Sequence, residues 1–404
     1  MIMKRAPYGS RPRLSREMVQ LNWLATGLAQ AGSRIERSHW HGRLQVLVEA
    51  LLAEGDDESL NTVLNRLSEG EPVAHDALMD TIESVVESTV IQIDGRDHDV
   101  LLIACPLLVW SRYAIPAPIL STRDQNALAE ALKASIFTRH AHVALLGMLA
   151  GPDQIPREFA QLAQLTRHLA ESLVSGNATT LHAQAKEETN RFLSDTRYLI
   201  AVVSVPRGEA LFRWQEPRAT NSSVQLNERA EIIRTWSAAA LKILEPRLAG
   251  CRIKILPPDA FHAACASADR ESRPHSVEAC VRFLTEAINL PPEKQRAVIG
   301  PFHAQRLEEY RIGLGPRVGP NHDDVLYHGV VWPMLGVEDE QIDMTVEIEQ
   351  VLRQLGVTDI VTHDHRFPME YCDDCGSPMY ANADGELTHL EMPETMTEQP
   401  SILH

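Results

Sequence analysis

Residues 89–110 read TVIQIDGRDHDVLLIACPLLVW, and the fold is read outward from this stretch. Thr89, Val90, Ile91 and Ile93 carry the β-branched side chains that suit a pleated strand. Asp94-Gly95 then offers two residues that tolerate positive φ, as a tight antiparallel turn requires. The apolar run 100–110 completes a β-hairpin. That run has 11 residues with Pro106 inside it, against the roughly 20 that a membrane helix needs.

Before the hairpin, the apolar periodicity is helical. Ser15 caps a first helix that ends at Gly32, and a second runs over 35–53 and stops at Gly55. Two more are expected over 56–68 and 72–88, the last with Pro72 in its first turn. Four amphipathic helices with short connections predict a small bundle over 15–88.

After the hairpin, its pattern recurs. A helix over 124–136, a strand over 142–149 and a helix over 156–174 complete one round. A second hairpin is expected over 198–205 and 210–215, followed by a helix 228–248, a strand 251–256 and helices 260–268 and 276–289. A third hairpin over 310–314 and 325–332 precedes a helix 346–355 and a strand 359–362. Each second hairpin strand ends in a tryptophan, Trp110, Trp214 and Trp332. The expected fold class is therefore α+β: an N-terminal helical bundle followed by three diverged ββαβα modules and a C-terminal ribbon-like hairpin. The boundaries are 15–88 for the helices, 89–195, 196–308 and 309–366 for the modules, and 367–395 for the hairpin.

Composition narrows the class. The 404 residues are 44% hydrophobic and 23% charged, with six cysteines. This predicts a soluble chain of two or three domains with no disulfide framework. The basic start has no apolar run behind it, so no signal peptide is expected and the predicted location is the reduced cytoplasm. The formal charge of -17 is uneven. Residues 1–16 hold five cations and no acid, residues 54–99 hold 13 acids against Arg66 and Arg96, and no Lys or Arg follows Arg366. An acidic helical face suits protein partners, whereas nucleic acid, which needs clustered cations, is not expected.

One local motif carries metal chemistry: Cys372-Asp373-Asp374-Cys375-Gly376. Two thiolates at this spacing can face one tetrahedral ion, and the glycine lets backbone N–H groups turn toward sulfur. A tight hairpin over 379–390 follows, as in one half of a zinc ribbon. No second Cys-x-x-Cys exists in the chain. His389 is the expected third ligand, and His363, in competition with His365, the fourth. The cofactor implied is a structural Zn2+. A thiol redox pair and two ordinary cysteines are the alternatives; Asp373 and Asp374 should raise the thiol pKa values, which favours a cation over a nucleophile. Cys105, Cys251, Cys265 and Cys280 lie among apolar residues and are expected in the core. Gly313-Leu314-Gly315 leads into Pro316 and Pro320, which block the helix that a dinucleotide fingerprint needs.

Several further stretches carry a resemblance: Pro12-Arg13-Leu14-Ser15-Arg16, Trp110-Ser111-Arg112-Tyr113, Asp195-Thr196-Arg197-Tyr198 and Phe212-Arg213-Trp214-Gln215. So do Glu309-Tyr310-Arg311-Ile312-Gly313, His328-Gly329-Val330-Val331-Trp332-Pro333 and Phe367-Pro368-Met369-Glu370. With the cysteine motif, they resemble an uncharacterised bacterial family known only as a domain of unknown function. The resemblance spans nearly the whole chain, implies a bacterial cytoplasmic setting and brings no activity. It carries over Cys372, Cys375 and Gly376 and leaves His365 outside the pattern.

Two functional classes follow. The first is a non-enzymatic interaction or regulatory protein with a zinc-stabilised C-terminal element. The alternatives are an enzyme with a site between modules, using Arg112, Tyr113, Arg213, Asp324, His328 and Asp364, or a redox protein using Cys372 and Cys375.

Overall fold

The structure is a computed structural model that describes residues 14–175, 193–216, 222–317, 325–336, 338 and 343–391. Helices α1 (Arg16–Ala29), α2 (Arg34–Glu54), α3 (Asp57–Gly70) and α4 (Pro72–Glu87) form the N-terminal region. Their ends are made locally. The Ser15 side chain accepts from the Met18 N–H, Ser33 from Glu36 and Asp56 from Ser59, while Gly55 ends α2 at φ 74°. Leu21, Leu24, Leu44, Val48, Leu60, Val63, Leu78 and Ile82 are fully buried.

Strands β1 (Ser88–Ile93) and β2 (Arg96–Trp110) form the expected hairpin. Then come α5 (Thr122–Ser135), β3 (His142–Ala150), α6 (Phe159–Ser175), β4 (Ser194–Pro206), α7 (Ser222–Leu244), β5 (Arg252–Ile255), β6 (Asp259–Ala260) and α8 (Phe261–Ile288). The strands form one antiparallel sheet in the order β1-β2-β4-β3, with β5 and β6 also pairing β2. Without β1, β6 and the additional helix α6 between β3 and β4, the chain order βαββαβ and the strand order β5-β2-β4-β3 are those of a ferredoxin-like split βαβ. Helices α5 and α7 cover one face through Leu128, Leu132, Trp236 and Leu244. The other face meets α6, the bundle and the first half of α8. With β2 and β4 enclosed on both faces, the unbroken apolar run of β2 is explained.

This arrangement corrects the threefold repeat. Strands from the first two expected modules share one sheet, and no second hairpin forms at 210–215. Both edges of β4 are occupied, by β2 and β3, so a returning strand has no place to pair. Instead, Arg213–Gln215 is a 3-10 turn, and the Gln215 side chain accepts from the Leu211 and Phe212 N–H groups. The two helices expected near 260–268 and 276–289 are one, with Pro274 inside it.

The second half of α8 lies on another sheet through Val277, Cys280, Phe283 and Leu284. That sheet contains β7 (Gln295–His303), β8 (Leu307–Pro316) and β9 (His328–Pro333), then β10 (Asp359–Thr362) and β11 (Phe367–Pro368) after α9 (Thr345–Gln354). β7, β8 and β9 are antiparallel, while β10 and β11 return parallel to β7. The sequence reading has no strand at 295–303, where Gly300-Pro301 interrupts the β pattern. One face of this sheet presents Ala297, Ile299, Tyr310, Ile312, Leu314, Val330 and Trp332 to α8 and α9. The alternate residues Val298, Gly300, Phe302, Arg311, Gly313, Gly315 and Gly329 form the opposite face, on which the C-terminal segment rests.

A carboxylate joins the bundle to the first sheet. Glu87, at the end of α4, accepts from the His262 N–H in the first turn of α8 at 3.1 Å. Burial, opposed by that bond and reinforced by Glu83 and Asp259, pushes the Glu87 carboxyl up to about 7. A carboxyl raised in the folded state binds more protons there, so its contribution to stability falls as pH rises from the ordinary carboxylate range through about 7. Glu87→Gln keeps an acceptor for the His262 N–H and removes the charge. The expected gain at pH 8 is about 1 kcal/mol, allowing for Glu87's partial exposure. Thermal unfolding at about pH 8 and about pH 5.5 checks it; an equal shift at both would refute the ionisation argument.

Candidate metal centre

The C-terminal ribbon is built on that glycine-bearing face. Strands β12 (Tyr380–Ala381) and β13 (Leu387–Thr388) pair antiparallel around a turn. In that turn, Asn382 Oδ1 accepts from the Asp384 and Glu386 N–H groups, and Gly385 adopts φ 84°. The glycines beneath are required by close approach. A Cβ on Gly329 would lie 2.3 Å from the Tyr380 ring, and one on Gly300 would lie 2.9 Å from Phe367. Arg311 fastens the segment from below. Its Nη1 donates to the carbonyls of Glu370 and Met379, each at 2.7 Å, and its Nε donates to Glu309 Oε1 at 2.6 Å. The guanidinium lies over the Phe302 ring at 4.2 Å and the Tyr371 ring at 5.0 Å.

Glu370 and Met379 flank the cysteine loop, and the Met379 N–H also donates to the Glu370 carbonyl at 3.1 Å. Within the loop, Cys372 N–H donates to the Ser377 carbonyl and Gly376 N–H to the Cys372 carbonyl, both at 2.8 Å. Gly376 adopts φ 70°, which explains why glycine follows the second cysteine. The loop and the end of β13 bring Cys372 Sγ, Cys375 Sγ and a His389 ring nitrogen within 4.8 Å of one another. Cys375 Sγ is 3.2 Å from His389 Nε2, and His389 Nδ1 is 2.8 Å from the Leu390 carbonyl oxygen. With a metal at Nε2, a proton on Nδ1 would satisfy that carbonyl, the arrangement that metal-bound histidines use.

The electrostatics overturn one expectation. Despite Asp373 and Asp374, the exposed Cys375 thiol is pulled down to about 6, chiefly by hydrogen bonds from the Ser377 hydroxyl and backbone N–H and then from His389. The same contact with Cys375 raises the His389 pKa. Two thiols and an imidazole, one thiol already favouring its thiolate, are the donor set that suits Zn2+.

Other candidates fall elsewhere. His363 Nε2 is 2.8 Å from the Asn382 carbonyl oxygen, at the turn of the ribbon rather than beside the cysteines. His365 packs at a tilt against Phe367 with ring centres 4.1 Å apart. Arg213 donates to the Phe137 and Lys133 carbonyls at the end of α5, whereas His328 lies 3.3 Å from Cys280 on the second sheet. Tyr113 and Asp364 are exposed, and Asp324 lies outside the described residues. Cys105 and Cys280 are buried as expected, and Cys251 and Cys265 partly so.

A family model described as a protein of unknown function, DUF2863, matches residues 8–403. The chain belongs to this family. No curated protein and no solved structure matches it. The DUF2863 match covers both sheets and the ribbon, so the cysteine loop is part of the family's span. Two residues of this DUF2863 member that matter to the centre escape a reading by motif. Arg311 was legible only as a lone cation in an apolar strand, and Ser377 as the residue after Gly376. No described helix of the chain is long and apolar enough to cross a membrane.

Proposed function

We propose that this chain is a non-enzymatic interaction or regulatory protein of the cytoplasm whose C-terminal ribbon is stabilised by a structural Zn2+. The observation that carries the metal reading is the convergence of Cys372, Cys375 and His389 within 4.8 Å, with His389 Nδ1 tied back to Leu390. Bound zinc would cross-link the cysteine loop to the end of β13 and add its binding free energy to folding. Arg311 and Ser377 prepare the site, the first by holding both ends of the loop and the second by favouring the Cys375 thiolate. The acidic helical region supports a basic protein partner. Among the described residues, α3 and α4 carry Asp57, Glu58, Glu69, Asp76, Asp80, Glu83 and Glu87 against Arg66 alone.

Elemental analysis of the purified chain tests the metal. The expected result is zinc retained at neutral pH, lost in Cys372→Ser, and released on acidification, where protons compete for Cys375 and His389. A thiol redox role is the second reading, supported by the exposed, depressed Cys375 thiol. Zinc-free protein that forms a Cys372–Cys375 disulfide under mild oxidant would favour it over the structural site.

A further inference from the structure

A second polar cluster lies on the first sheet, far along the chain from the cysteine loop. On β4, Ser204 lies directly opposite His142 of β3, and the adjacent same-face residue Pro206 lies opposite His98 of β2. Residues paired across a sheet share a face, so His98, Ser204 and His142 all point toward the side covered by the helical bundle. The strands of the two histidines are separated by β4, which carries Ser204, yet their ring centres are only 5.8 Å apart. His98 is 5% exposed and Ser204 is fully buried. His98 Nδ1 and Ser204 Oγ are both buried without a hydrogen-bond partner.

We propose that His98 and His142, with the Ser204 hydroxyl beneath them, form a binding site for a borderline divalent transition metal such as Zn2+, Ni2+ or Cu2+. Geometry supports the pairing. An ion held about 2.0–2.1 Å from an imidazole nitrogen sits about 3.2 Å from the ring centre, so two rings sharing an ion lie at most about 6.4 Å apart. The observed 5.8 Å meets that limit. Simple ring contact would leave two buried polar atoms unmatched, at about 1–3 kcal/mol each. An ion with its coordinated water gives both a partner. The ligand types also match: imidazoles select Zn2+, Ni2+ and Cu2+ over Mg2+ or Ca2+, which require carboxylate and carbonyl oxygens. Partial desolvation, with His98 and Lys133 nearby and Asp94 opposing, lowers the His142 pKa, which favours the neutral imidazole that a metal needs.

This site is independent of the cysteine centre, and the test separates them. Ni2+ alone is added to metal-stripped full-length protein, and bound Ni2+ is counted by equilibrium dialysis for wild type, His142→Ala and Cys375→Ser. His142 is exposed, so His142→Ala should fold; its thermal unfolding is compared with wild type before counting. The expected result is one Ni2+ fewer bound by His142→Ala than by wild type, and at least one Ni2+ still bound by Cys375→Ser. Equal Ni2+ binding by wild type and His142→Ala would overturn the proposal, as would Ni2+ binding abolished by Cys375→Ser alone. The Ni2+ equivalent lost in Cys375→Ser reports on the cysteine centre separately.

Discussion

Replacing Arg311 with methionine is expected to destabilise the protein by about 3–5 kcal/mol, the usual cost of removing one partner from a buried ion pair. The Arg311 side chain is wholly buried, and Glu309, its ion partner, is 14% exposed. Methionine occupies much of the same space between Phe302 and Tyr371 but donates nothing. Glu309 would lose its cation, and the Glu370 and Met379 carbonyls would each lose a donor. Because those carbonyls flank the cysteine loop, the damage should concentrate there. Denaturant unfolding should show the loss, and limited proteolysis should cut first within 367–391. A loss below about 1 kcal/mol would mean that the charge is not anchoring the ribbon. Arg311→Lys should recover only part of the stability, since a single ammonium cannot reproduce the planar fork that serves both carbonyls and Glu309.

The second large effect is expected at Gly329. Any side chain there enters the space of the Tyr380 ring, already 2.3 Å from the position of a Cβ. Tyr380 is 4% exposed and packs with Phe302, Phe367 and Ala381, so it cannot swing into solvent without lifting β12 from the sheet. Gly329→Val is therefore expected to cost about 3 kcal/mol, at the upper end for overpacking. It should also weaken retention of the proposed zinc, because His389 follows β13, the partner strand of β12. The double variant Gly329→Val with Tyr380→Ala restores room and should recover part of the stability. If Gly329→Val unfolds like wild type and keeps its zinc, the close contact is not a constraint on the ribbon.

How much of this was legible beforehand follows from the range of the interactions. The four N-terminal helices were readable because caps and apolar periodicity act within a few residues: Ser15, Gly55 and Pro72 mark boundaries by local chemistry. The β1–β2 hairpin was readable for the same reason, since Asp94-Gly95 sets its turn. The ligand candidates Cys372, Cys375 and His389 also came from spacing alone, because a Cys-x-x-Cys-Gly loop and a following hairpin need few distant contacts.

What failed depended on partners far along the chain. The repeat of tryptophans and element order suggested three modules, but strand pairing is decided by which edges are free. β4 is enclosed by β2 and β3, so residues 210–215 turn into a 3-10 segment. β7 was invisible locally because Gly300 and Pro301 break its pattern, and only pairing with β8 and β10 makes it a strand. The thiol at Cys375 went the opposite way from its aspartate neighbours because hydrogen bonds from Ser377 and His389 outweigh charges that water screens. By itself, then, the sequence determined the N-terminal helices, the first hairpin and the ligand candidates of the cysteine loop, all short-range matters. The tertiary structure alone decided which strands share a sheet, why glycines line the face beneath the ribbon, and that His363, the expected fourth ligand, lies at the ribbon's turn rather than beside the cysteines, because each rests on contacts beyond the local sequence.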